Sequence, residues 1–516
     1  MIKRIVESRW PISLAIVVVV IAVSVIVILM GNRAPAGRIS LETVSDGSGG
    51  TIVAWQDKQG IHAQRINSEG NPLWTHEVLA GAKMLPEAFS LASDGQGGAI
   101  ITWEDRSSVP DDYDFKNPAY FNPIPVYSQR LNAVGEPLWG KGVPTGITER
   151  LGVYPVRLVP DDAGGAFLAW NDFKTVYRAL HDDYFYLQKI GPQGNPMWGE
   201  KGILVCSSPP YHPTTPEEQA RGETGTWTRS FPVCRSFEVV SDGAGGVIVI
   251  LTEETGPRYS NVYAQRFNTN GQPVWQQGGV RIYTGWEGEM PLVASDGNGG
   301  AFIVSVTRRE SLSGYDPGLN TISAQRLSAE GKLLWPGSGV LIEELPYLLG
   351  QPLVVARSPG SAIILWTENV YGGPESRFSL HAVKVGADGA VMWQTDSVFV
   401  AEKGQFISDL GVCDGKDAVI LTWRVADWNN PQWTGKVYAQ KLSDQGKIIE
   451  AGERSLVFAG LDFKYQDKPR IVPDGSGGAV IFAIVGQSPL YGDRIQYQRW
   501  GNDTGDSWGG SISIRR

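Results

Sequence analysis

The sequence predicts an all-β, eight-bladed β-propeller that follows one N-terminal transmembrane helix. Three observations predict the propeller. A phrase that opens on an Asp-Gly turn returns eight times, at a mean spacing of about 61 residues. Each copy contains four short runs of strand character, and nearly every copy ends on a Gly and a Trp. Four antiparallel strands per repeat, arranged around a ring, form the blades of a propeller.

The N-terminal segment precedes every repeat. Residues Pro11–Met30 form an uncharged run rich in Val and Ile that is long enough to span a bilayer as a helix. Three basic residues precede this run, so the positive-inside rule places residues 1–10 in the cytoplasm and the propeller outside the cell. Residues 31–38 then form a linker. Ala34-Pro35-Ala36 resembles a signal-peptidase site, so a cleaved, secreted form is the alternative.

The first repeat contains the whole phrase. Asp46-Gly47-Ser48-Gly49-Gly50 predicts a tight hairpin, because glycine supplies the positive φ angles that such turns need. A degraded copy occupies residues 357–360, so seven blades with one irregular unit is the alternative to eight. The turn aspartate returns at Asp94, Asp161, Asp242, Asp296, Asp414 and Asp474. The expected repeats span about 39–85, 86–150, 151–230, 231–288, 289–347, 348–404, 405–463 and 464–516.

Unit 4 illustrates the predicted strands. They are Phe237–Ser241, Val247–Thr252, Val262–Phe267 and Pro273–Tyr283, runs dominated by β-branched and aromatic residues without a helical period. A linear solenoid fits less well, because no atypical capping unit closes either end of the array.

A regular Trp closes most repeats. It stands four residues after a Gly in the first six units, and this regularity predicts a structural role in packing between blades. Unit 7 has Glu450 in place of the Trp, and unit 8 shortens the spacing to Gly505 and Trp508. The six regular residues are Trp74, Trp139, Trp198, Trp275, Trp335 and Trp393.

A basic residue recurs on the third strand, usually after Gln, as in Gln64-Arg65. We expect its aliphatic stem to cover the strand while its charge reaches the surface. The acidic residue two positions after the second-strand Trp, such as Asp57 or Glu368, could pair with it.

These repeats resemble known propellers. The Val-Tyr-Ala-Gln-Arg and Gly-x-x-x-Trp segments resemble those of quinoprotein-type (PQQ-like) propellers, which have eight blades and a tryptophan docking motif. The Asp-Gly-x-Gly-Gly opening resembles bacterial cell-surface propeller repeats, and the resemblance covers residues 39–516. Quinoprotein dehydrogenases also carry adjacent cysteines, an Asp base and calcium ligands, whereas Cys206, Cys234 and Cys413 are not adjacent. The resemblance therefore implies a non-catalytic relative without a cofactor, similar to the propeller lipoprotein that helps assemble outer-membrane proteins.

Long loops are predicted on one face of the propeller. In this topology, links between strands one and two and between strands three and four share one face, here short and mostly glycine-closed. The other links share the opposite face and carry the insertions, and long loops on a rigid scaffold commonly bind ligands. Exposed aromatics with acids suit protein hot spots or sugar stacking; the alternative is that these loops pack on the propeller rim. The predicted binding residues are Asp111, Asp112, Tyr113, Phe115, Tyr120, Tyr211, Trp227, Trp428 and Trp433.

Charge and cysteine content limit the partners and the compartment. The net charge of −9 argues against a nucleic-acid partner, which would require a basic face. Cys206 and Cys234 flank one long insertion and could form a disulfide across it, as exported proteins allow. Cys413 is expected to be a lone, small apolar residue.

Catalytic and metal motifs are weak. Gly505-Asp506-Ser507-Trp508-Gly509 matches a nucleophile pattern, but that elbow requires a strand-to-helix turn in an α/β sheet. The histidines lack metal-ligand spacing, although His181-Asp182-Asp183-Tyr184 could touch a cation. Each Asp-Gly turn offers one carboxylate, whereas calcium takes roughly 6–8 oxygen ligands. We therefore predict no catalytic residue, no metal and no cofactor.

The predicted function is binding. A membrane-anchored, extracytoplasmic propeller would serve as a binding or assembly scaffold for an envelope or membrane protein, or for a surface glycan. The alternative is an extracytoplasmic enzyme, carbohydrate-active or quinoprotein-like, with its site in the propeller funnel.

Overall fold

The computed structural model of this chain describes most of the region predicted to fold as a propeller. Among the described residues, no helix is long and apolar enough to cross a membrane. The predicted transmembrane segment, Pro11–Met30, lies outside the described residues. These are residues 40–513 apart from 58, 75–88, 106–123, 149–155, 178–179, 208–210, 214–226, 230–232, 257–258, 287–290, 310–318, 346–347, 358–359, 371–376, 403–404, 415–417, 428–433, 450–454, 463–467, 487–492 and 502–507.

The described strands form eight antiparallel sheets in chain order, one for each blade, and one small extra hairpin between blades 3 and 4. The strands of blades 1 to 4 and of that hairpin (β12 and β13) are β1 Ser40–Ser45, β2 Thr51–Asp57, β3 Gly60–Ile66, β4 Phe89–Ser93, β5 Ala99–Glu104, β6 Ile124–Leu131, β7 Val143–Thr148, β8 Arg157–Pro160, β9 Ala166–Tyr177, β10 Leu180–Ile190, β11 Ile203–Ser207, β12 Tyr211–Pro213, β13 Trp227–Arg229, β14 Val233–Ser241, β15 Val247–Gly256, β16 Tyr259–Phe267 and β17 Val280–Trp286.

Blades 5 to 8 repeat the pattern. In blade 6 the outer strand is split into two pieces, which both pair with the third strand. The strands are β18 Leu292–Ser295, β19 Ala301–Arg309, β20 Leu319–Leu327, β21 Val340–Leu345, β22 Leu348–Arg357, β23 Ser361–Val370, β24 Arg377–Val385, β25 Val391–Gln394, β26 Phe399–Val400, β27 Gln405–Asp414, β28 Ala418–Asp427, β29 Thr434–Ser443, β30 Ser455–Asp462, β31 Arg470–Pro473, β32 Ala479–Gly486, β33 Asp493–Trp500 and β34 Gly509–Ser513.

The blades close into a ring around the first strand of each blade. The strands β1, β4, β8, β14, β18, β22, β27 and β31 contact one another in that order, and β31 contacts β1. Eight blades are therefore present, and the seven-blade alternative is wrong. Blade 1 shows three strands, and the residues that follow Trp74 lie outside the described part of the chain.

The second strand of each blade lies at the centre of the packing. Thr51–Gln56 and Ala99–Glu104 are buried without interruption, because neighbouring blades cover both faces of the sheet. Continuous apolar runs are typical of strands buried on both faces. The hydrophobic clusters lie between adjacent blades, as where Phe302 of blade 5 packs with Trp366 of blade 6. The predicted boundaries shift in unit 4, where the fourth strand begins at Val280 and Pro273 forms only an isolated bridge.

The Asp-Gly turns are stabilised by an ion pair with the third-strand basic residue, whose charge was expected at the surface. Asp94 Oδ1 accepts hydrogen bonds from the backbone N–H groups of Gln96 and Gly98, each at 2.8 Å. Its Oδ2 lies 2.9 Å from Nη2 of Arg130, and both side chains are buried. The recurrent basic residue thus carries its charge inward to the turn. The same pairing joins Arg65 to Asp46, Lys189 to Asp161, Arg266 to Asp242, Arg326 to Asp296 and Arg499 to Asp474.

In blades 1 and 6, the acid two positions after the second-strand Trp has a different partner from the one expected. Asp57 contacts His62 Nε2 at 2.8 Å, and Glu368 contacts His381 Nε2 at 3.4 Å. The reason is geometric. Trp55 pairs across the strands with His62, and the two rings stack, so Asp57 on the same face lies over the histidine.

Each regular Trp docks on the next blade. The indole N–H of Trp74 donates to the carbonyl oxygen of Ala133 at 3.0 Å, and its ring covers Gly135, where a Cβ would approach within 2.7 Å. The same bond to the following blade is made by Trp139, Trp198, Trp275, Trp335 and Trp393. Trp508 of blade 8 donates to Ser68 of blade 1 at 2.8 Å. This bond closes the ring between the first and last blades.

Candidate functional site in the axial channel

The long-loop residues predicted to bind are mostly outside the described residues. The structure places Tyr211 on β12 and Trp227 on β13, where Pro213 pairs with Trp227. The others, namely Asp111, Asp112, Tyr113, Phe115, Tyr120, Trp428 and Trp433, lie outside the described residues. The interpretation of these residues as a binding surface is therefore still a prediction.

The insertion between blades 3 and 4 is anchored at both ends. A disulfide joins Cys206 on β11 to Cys234 on β14, and β12 of the small hairpin contacts β10. The strands β9 and β10 are also long, at 12 and 11 residues. Among the described residues, the longest strands and the extra hairpin therefore lie at blade 3 and its junction with blade 4.

A buried polar ring lies below this face. The second strand of each blade runs from the Asp-Gly turn towards the long-loop face. Five of the eight second strands contain a Trp (Trp55, Trp103, Trp170, Trp366 and Trp423), and the position after this Trp, or its equivalent in the other three blades, is buried in every blade. Six blades place a polar residue there, although the rest of the blade interior is mainly apolar; Val306 and Ile484 occupy the other two blades. The polar residues are Gln56, Glu104, Asn171, Thr252, Thr367 and Arg424.

Several of these polar groups lack an intramolecular partner. Within the described part of the chain, Oδ1 and Nδ2 of Asn171, Oε1 of Gln56 and Oγ1 of Thr252 accept or donate no hydrogen bond. Asn171 is only 2% exposed. A buried polar group without a hydrogen bond costs roughly 1–3 kcal/mol, and departures of this kind from a satisfied interior are expected at functional or strained sites.

An inner ring lies next to the buried polar ring. Each blade contributes one residue of its first strand to this ring. In blade 1 the residue is Glu42, which pairs with Ala54, the residue just before Trp55; the other blades contribute the residue at the equivalent register. Because side chains two residues apart share a face of a strand, Glu42 and Gln56 lie on one face of blade 1. The inner ring contains Glu42, Ser90, Arg157, Glu238, Leu292, Leu353, Gly411 and Arg470.

The inner ring is polar on one side of the channel and apolar on the other. Arg157 of blade 3 pairs with Glu238 of blade 4 at 3.2 Å, and Arg470 of blade 8 pairs with Glu42 of blade 1 at 3.1 Å. These four side chains are 20–38% exposed although they project from innermost strands. Blades 5 to 7 place Leu292, Leu353 and Gly411 at the same register.

Glu238 has an unusual electrostatic environment. Burial raises the pKa of this carboxyl above its ordinary value, although the neighbouring Arg157 guanidinium acts in the opposite direction. On the same face of blade 4, Glu254 pairs with Arg235. Glu254 stands four residues beyond Ile250, the partner of Glu238, so the backbone positions of the two glutamates are separated by roughly 13 Å along the strands.

A serine, a histidine and a glutamate also meet in blade 6. Ser379 Oγ lies 2.8 Å from His381 Nε2, and Glu368 contacts the same nitrogen. A catalytic triad needs the acid and the nucleophile on opposite ring nitrogens, so this group is not a charge-relay arrangement. In the nucleophile-like motif, residues 505–507 lie outside the described residues, and Trp508 is the docking Trp of blade 8.

Metal binding has little support in the described residues. No group of three or more His, Cys, Asp or Glu side chains is placed there to hold a metal ion. In the Asp-Gly turns, both carboxylate oxygens already accept hydrogen bonds from backbone N–H groups and the basic side chain. The segment His181–Tyr184 lies within β10.

Sequence reasoning missed both rings. The sequence carries a signal for the buried polar ring, because the residue directly after the second-strand Trp is polar in all five repeats that have this Trp. The acid at the following position is the more conspicuous feature, and in blades 1 and 6 it contacts a histidine. The inner ring carries no repeated residue type, so only the strand register reveals it.

No family model matches this chain, and no curated protein matches it. Solved structures with some likeness include apo prolyl oligopeptidase B from Galerina marginata, with TM-score 0.41, 10% identity and coverage of 91% of this chain and 56% of that one. A Synechocystis apocarotenoid oxygenase mutant has a TM-score of 0.37 and 9% identity, with coverage of 94% of this chain and 95% of that one. An alpha-L-arabinanase from Penicillium chrysogenum complexed with arabinobiose has a TM-score of 0.30 and 11% identity, with coverage of 68% of this chain and 90% of that one. The present chain thus spans about half of that prolyl oligopeptidase, and likeness at these TM-scores carries no argument about function.

Proposed function

We propose that this protein is a membrane-anchored, extracytoplasmic binding scaffold that holds an envelope protein or a surface glycan on its long-loop face. The observation that carries the proposal is the difference between the two ends of the propeller. At the turn end, the same ion-paired hairpin repeats from blade to blade. At the long-loop end, the blades differ in strand length, in their insertions and in the polarity of the channel wall.

This difference favours binding at the long-loop end. A turn that repeats in blade after blade serves the fold, and its charged groups are already paired with one another. Variable loops on a rigid scaffold are where ligand contacts concentrate. The disulfide between Cys206 and Cys234 fixes one such insertion, which lowers the entropy that the insertion would lose on binding.

The chain path supports a membrane-proximal position for this face. β1 is the innermost strand of blade 1 and starts at Ser40 at the long-loop end. A linker over residues 31–38 spans at most about 30 Å when extended. An anchor at Pro11–Met30 would therefore keep the long-loop face near the membrane, within reach of a membrane-bound partner.

Cysteine use and charge support the compartment and the partner class. Disulfides persist mainly in oxidising compartments outside the cytoplasm. The resemblance to bacterial surface and PQQ-like repeats points the same way. The net charge of −9 makes nucleic acid an unsuitable partner.

Crosslinking and capture of the full-length protein from membranes test the proposal. One variant replaces residues 106–123, and a second replaces residues 208–232, with a short Gly-Ser link that leaves Cys206 and Cys234 in place. A partner captured by the parent and lost from either variant supports the scaffold. The matched control is Glu69→Gln on the turn face, which should capture the partner like the parent. Equal capture by parent and both loop variants would contradict the proposal.

A funnel enzyme is the second candidate. The observation that favours it is Glu238, a carboxyl with a raised pKa beside Arg157 in the channel wall; such groups are over-represented at catalytic sites. Turnover of a glycoside in a substrate screen, abolished by Glu238→Gln while thermal unfolding is unchanged, would replace the scaffold as the preferred function.

A further inference from the structure

We propose that one side of the axial channel binds an uncharged, hydroxyl-rich ligand of the saccharide class. This inference rests on the proposed binding function and names the ligand chemistry for one part of the long-loop end. The polar wall, as used below, consists of Glu42, Arg157, Glu238 and Arg470 in the inner ring, with Gln56, Asn171 and Thr252 on the adjacent second strands, two residues further towards the long-loop end.

The polar wall favours an uncharged ligand because its own charges are already matched. Arg157 faces Glu238 at 3.2 Å, and Arg470 faces Glu42 at 3.1 Å. Arg470 also donates to the backbone carbonyl of Leu41 at 2.7 Å. An ionic ligand bound here would be taken out of water without a counter-charge, which is strongly unfavourable.

The groups without an internal partner are amides and a hydroxyl, and their side chains are buried. Asn171 presents a donor and an acceptor, Gln56 an acceptor and Thr252 a hydroxyl, each without a partner among the described residues. Arg157 pairs with Ala169, so Arg157 and Asn171 share one face of blade 3. Asn171 therefore lies one step beyond the Arg157–Glu238 pair, towards the long-loop end.

The opposite side of the channel provides an apolar surface. Leu292 and Leu353 stand at the register that carries ion pairs in blades 3 and 4, and both are partly exposed. A sugar ring has hydroxyl groups around its edge and C–H groups on its faces. A channel with hydrogen-bonding groups on one side and leucines on the other matches this distribution, as do binding sites in which a few polar groups orient a ligand against apolar walls.

A glycan array tests the ligand class with the full-length protein in a detergent that lacks a sugar headgroup. The array carries neutral gluco-, xylo- and arabino-oligosaccharides beside uronic-acid oligosaccharides of the same lengths. Binding to a neutral oligosaccharide is then measured by calorimetry with the parent, with Asn171→Leu and Thr252→Val, and with Glu69→Gln as the turn-face control. Each channel variant should weaken binding on the order of tenfold, and the control should bind like the parent.

Three outcomes would overturn the inference: no binding to any neutral oligosaccharide, a preference for the uronic acids, or equal binding by the channel variants and the parent. Thr252→Val removes one oxygen and keeps the side-chain shape, so it remains informative if Asn171→Leu fails to fold. The two proposals fail separately. A partner captured through the long loops without sugar binding leaves the scaffold standing and removes only the saccharide assignment.

Discussion

At the residue scale, the docking of Trp on Gly predicts a measurable difference between two glycine substitutions. Gly95 and Gly135 both have positive φ, at 72° and 86°. A Cβ at Gly95 meets open space, whereas a Cβ at Gly135 comes within 2.7 Å of Trp74. We expect Gly95→Ala to cost about 1–2 kcal/mol for the left-handed backbone, and Gly135→Ala to cost roughly 1–3 kcal/mol more for the clash.

Urea unfolding followed by tryptophan fluorescence measures both variants. Gly95→Ala is the matched control, because it imposes the same backbone strain without the contact. Equal midpoints for the two variants would show that Trp74 does not depend on close contact with this glycine.

The turn aspartates predict how stability changes at acid pH. Burial alone would raise the pKa of Asp46 and Asp474, but backbone N–H donors and the paired arginine hold both pKa values below the ordinary range. A carboxyl with a depressed folded pKa contributes stability above its unfolded pKa of about 3.9, and this contribution is lost as pH falls through the folded pKa.

The free energy of unfolding should therefore stay nearly constant as pH falls to about 4, and it should decrease steeply at lower pH. Asp46→Asn should reduce both the stability at neutral pH and the slope of the acid limb. A variant that retained the full acid dependence would locate the responsible carboxyls elsewhere.

Residue identity predicted the turns but not the partners of their side chains. Repetition at Asp94 and Arg130 indicated structural roles, yet the pairing depends on the distance across a hairpin that exists only in the folded blade. The nearer acid along the chain, Asp57, is held by His62 because the two lie over the same stacked Trp55.

At the element scale, blade 6 replaces the usual ion pair by a rearranged one. Its turn has Arg357 near the position of the aspartate, and Asp444 of blade 7 supplies the acid, contacting both Arg357 and Lys384. Asp444→Ala should cost about 1–3 kcal/mol, because it removes the carboxylate that both Arg357 and Lys384 contact. Adding Arg357→Asp restores the arrangement of the other blades and should recover part of that loss.

A double-mutant cycle from urea unfolding measures this coupling, expected at roughly 1–3 kcal/mol. Additive effects of Arg357→Asp and Asp444→Ala would show that Asp444 does not substitute for the missing turn acid. The sequence signalled the degraded turn at residues 357–360, but not the compensating residue in the next blade.

The disulfide is a second element-scale test. It closes a loop with a sequence separation of 28, for which chain entropy gives roughly 3–4 kcal/mol. The double variant Cys206→Ser, Cys234→Ser should therefore unfold at lower urea, while the control Cys413→Ala should change little. Burial, with a contribution from Asp474, raises the pKa of the Cys413 thiol to about 12.

Alkylation of the natively folded protein provides an independent readout. After mild reduction, the partly exposed Cys206 should react, whereas Cys234 and Cys413 should react little, because both are buried and a buried thiol is a poor nucleophile. Labelling of Cys206 without prior reduction would contradict the disulfide.

At the scale of the whole molecule, the repeat predicted the ring and its blade number, because each copy is one sheet that must bury both faces against neighbours. The contacts that close the ring between blades 8 and 1 were harder to predict from the sequence. Trp508 comes from a shortened phrase, and Arg470 and Glu42 are separated by nearly the whole chain. The two-sided channel could not be predicted at all, since Leu292 and Arg157 share a register set by strand pairing rather than by a common sequence motif.

Photo-crosslinking in membranes tests the central claim, that the long-loop face is the binding face, most directly. A photoreactive amino acid replaces Gln59 or Thr255, which are exposed at the long-loop end, and Glu69 or Val134, which are exposed on the turn face. We predict partner adducts from Gln59 or Thr255 and none from Glu69 or Val134. Adducts confined to Glu69 and Val134 would contradict the account, because they would place the partner on the face whose repeated turns we assign to the fold.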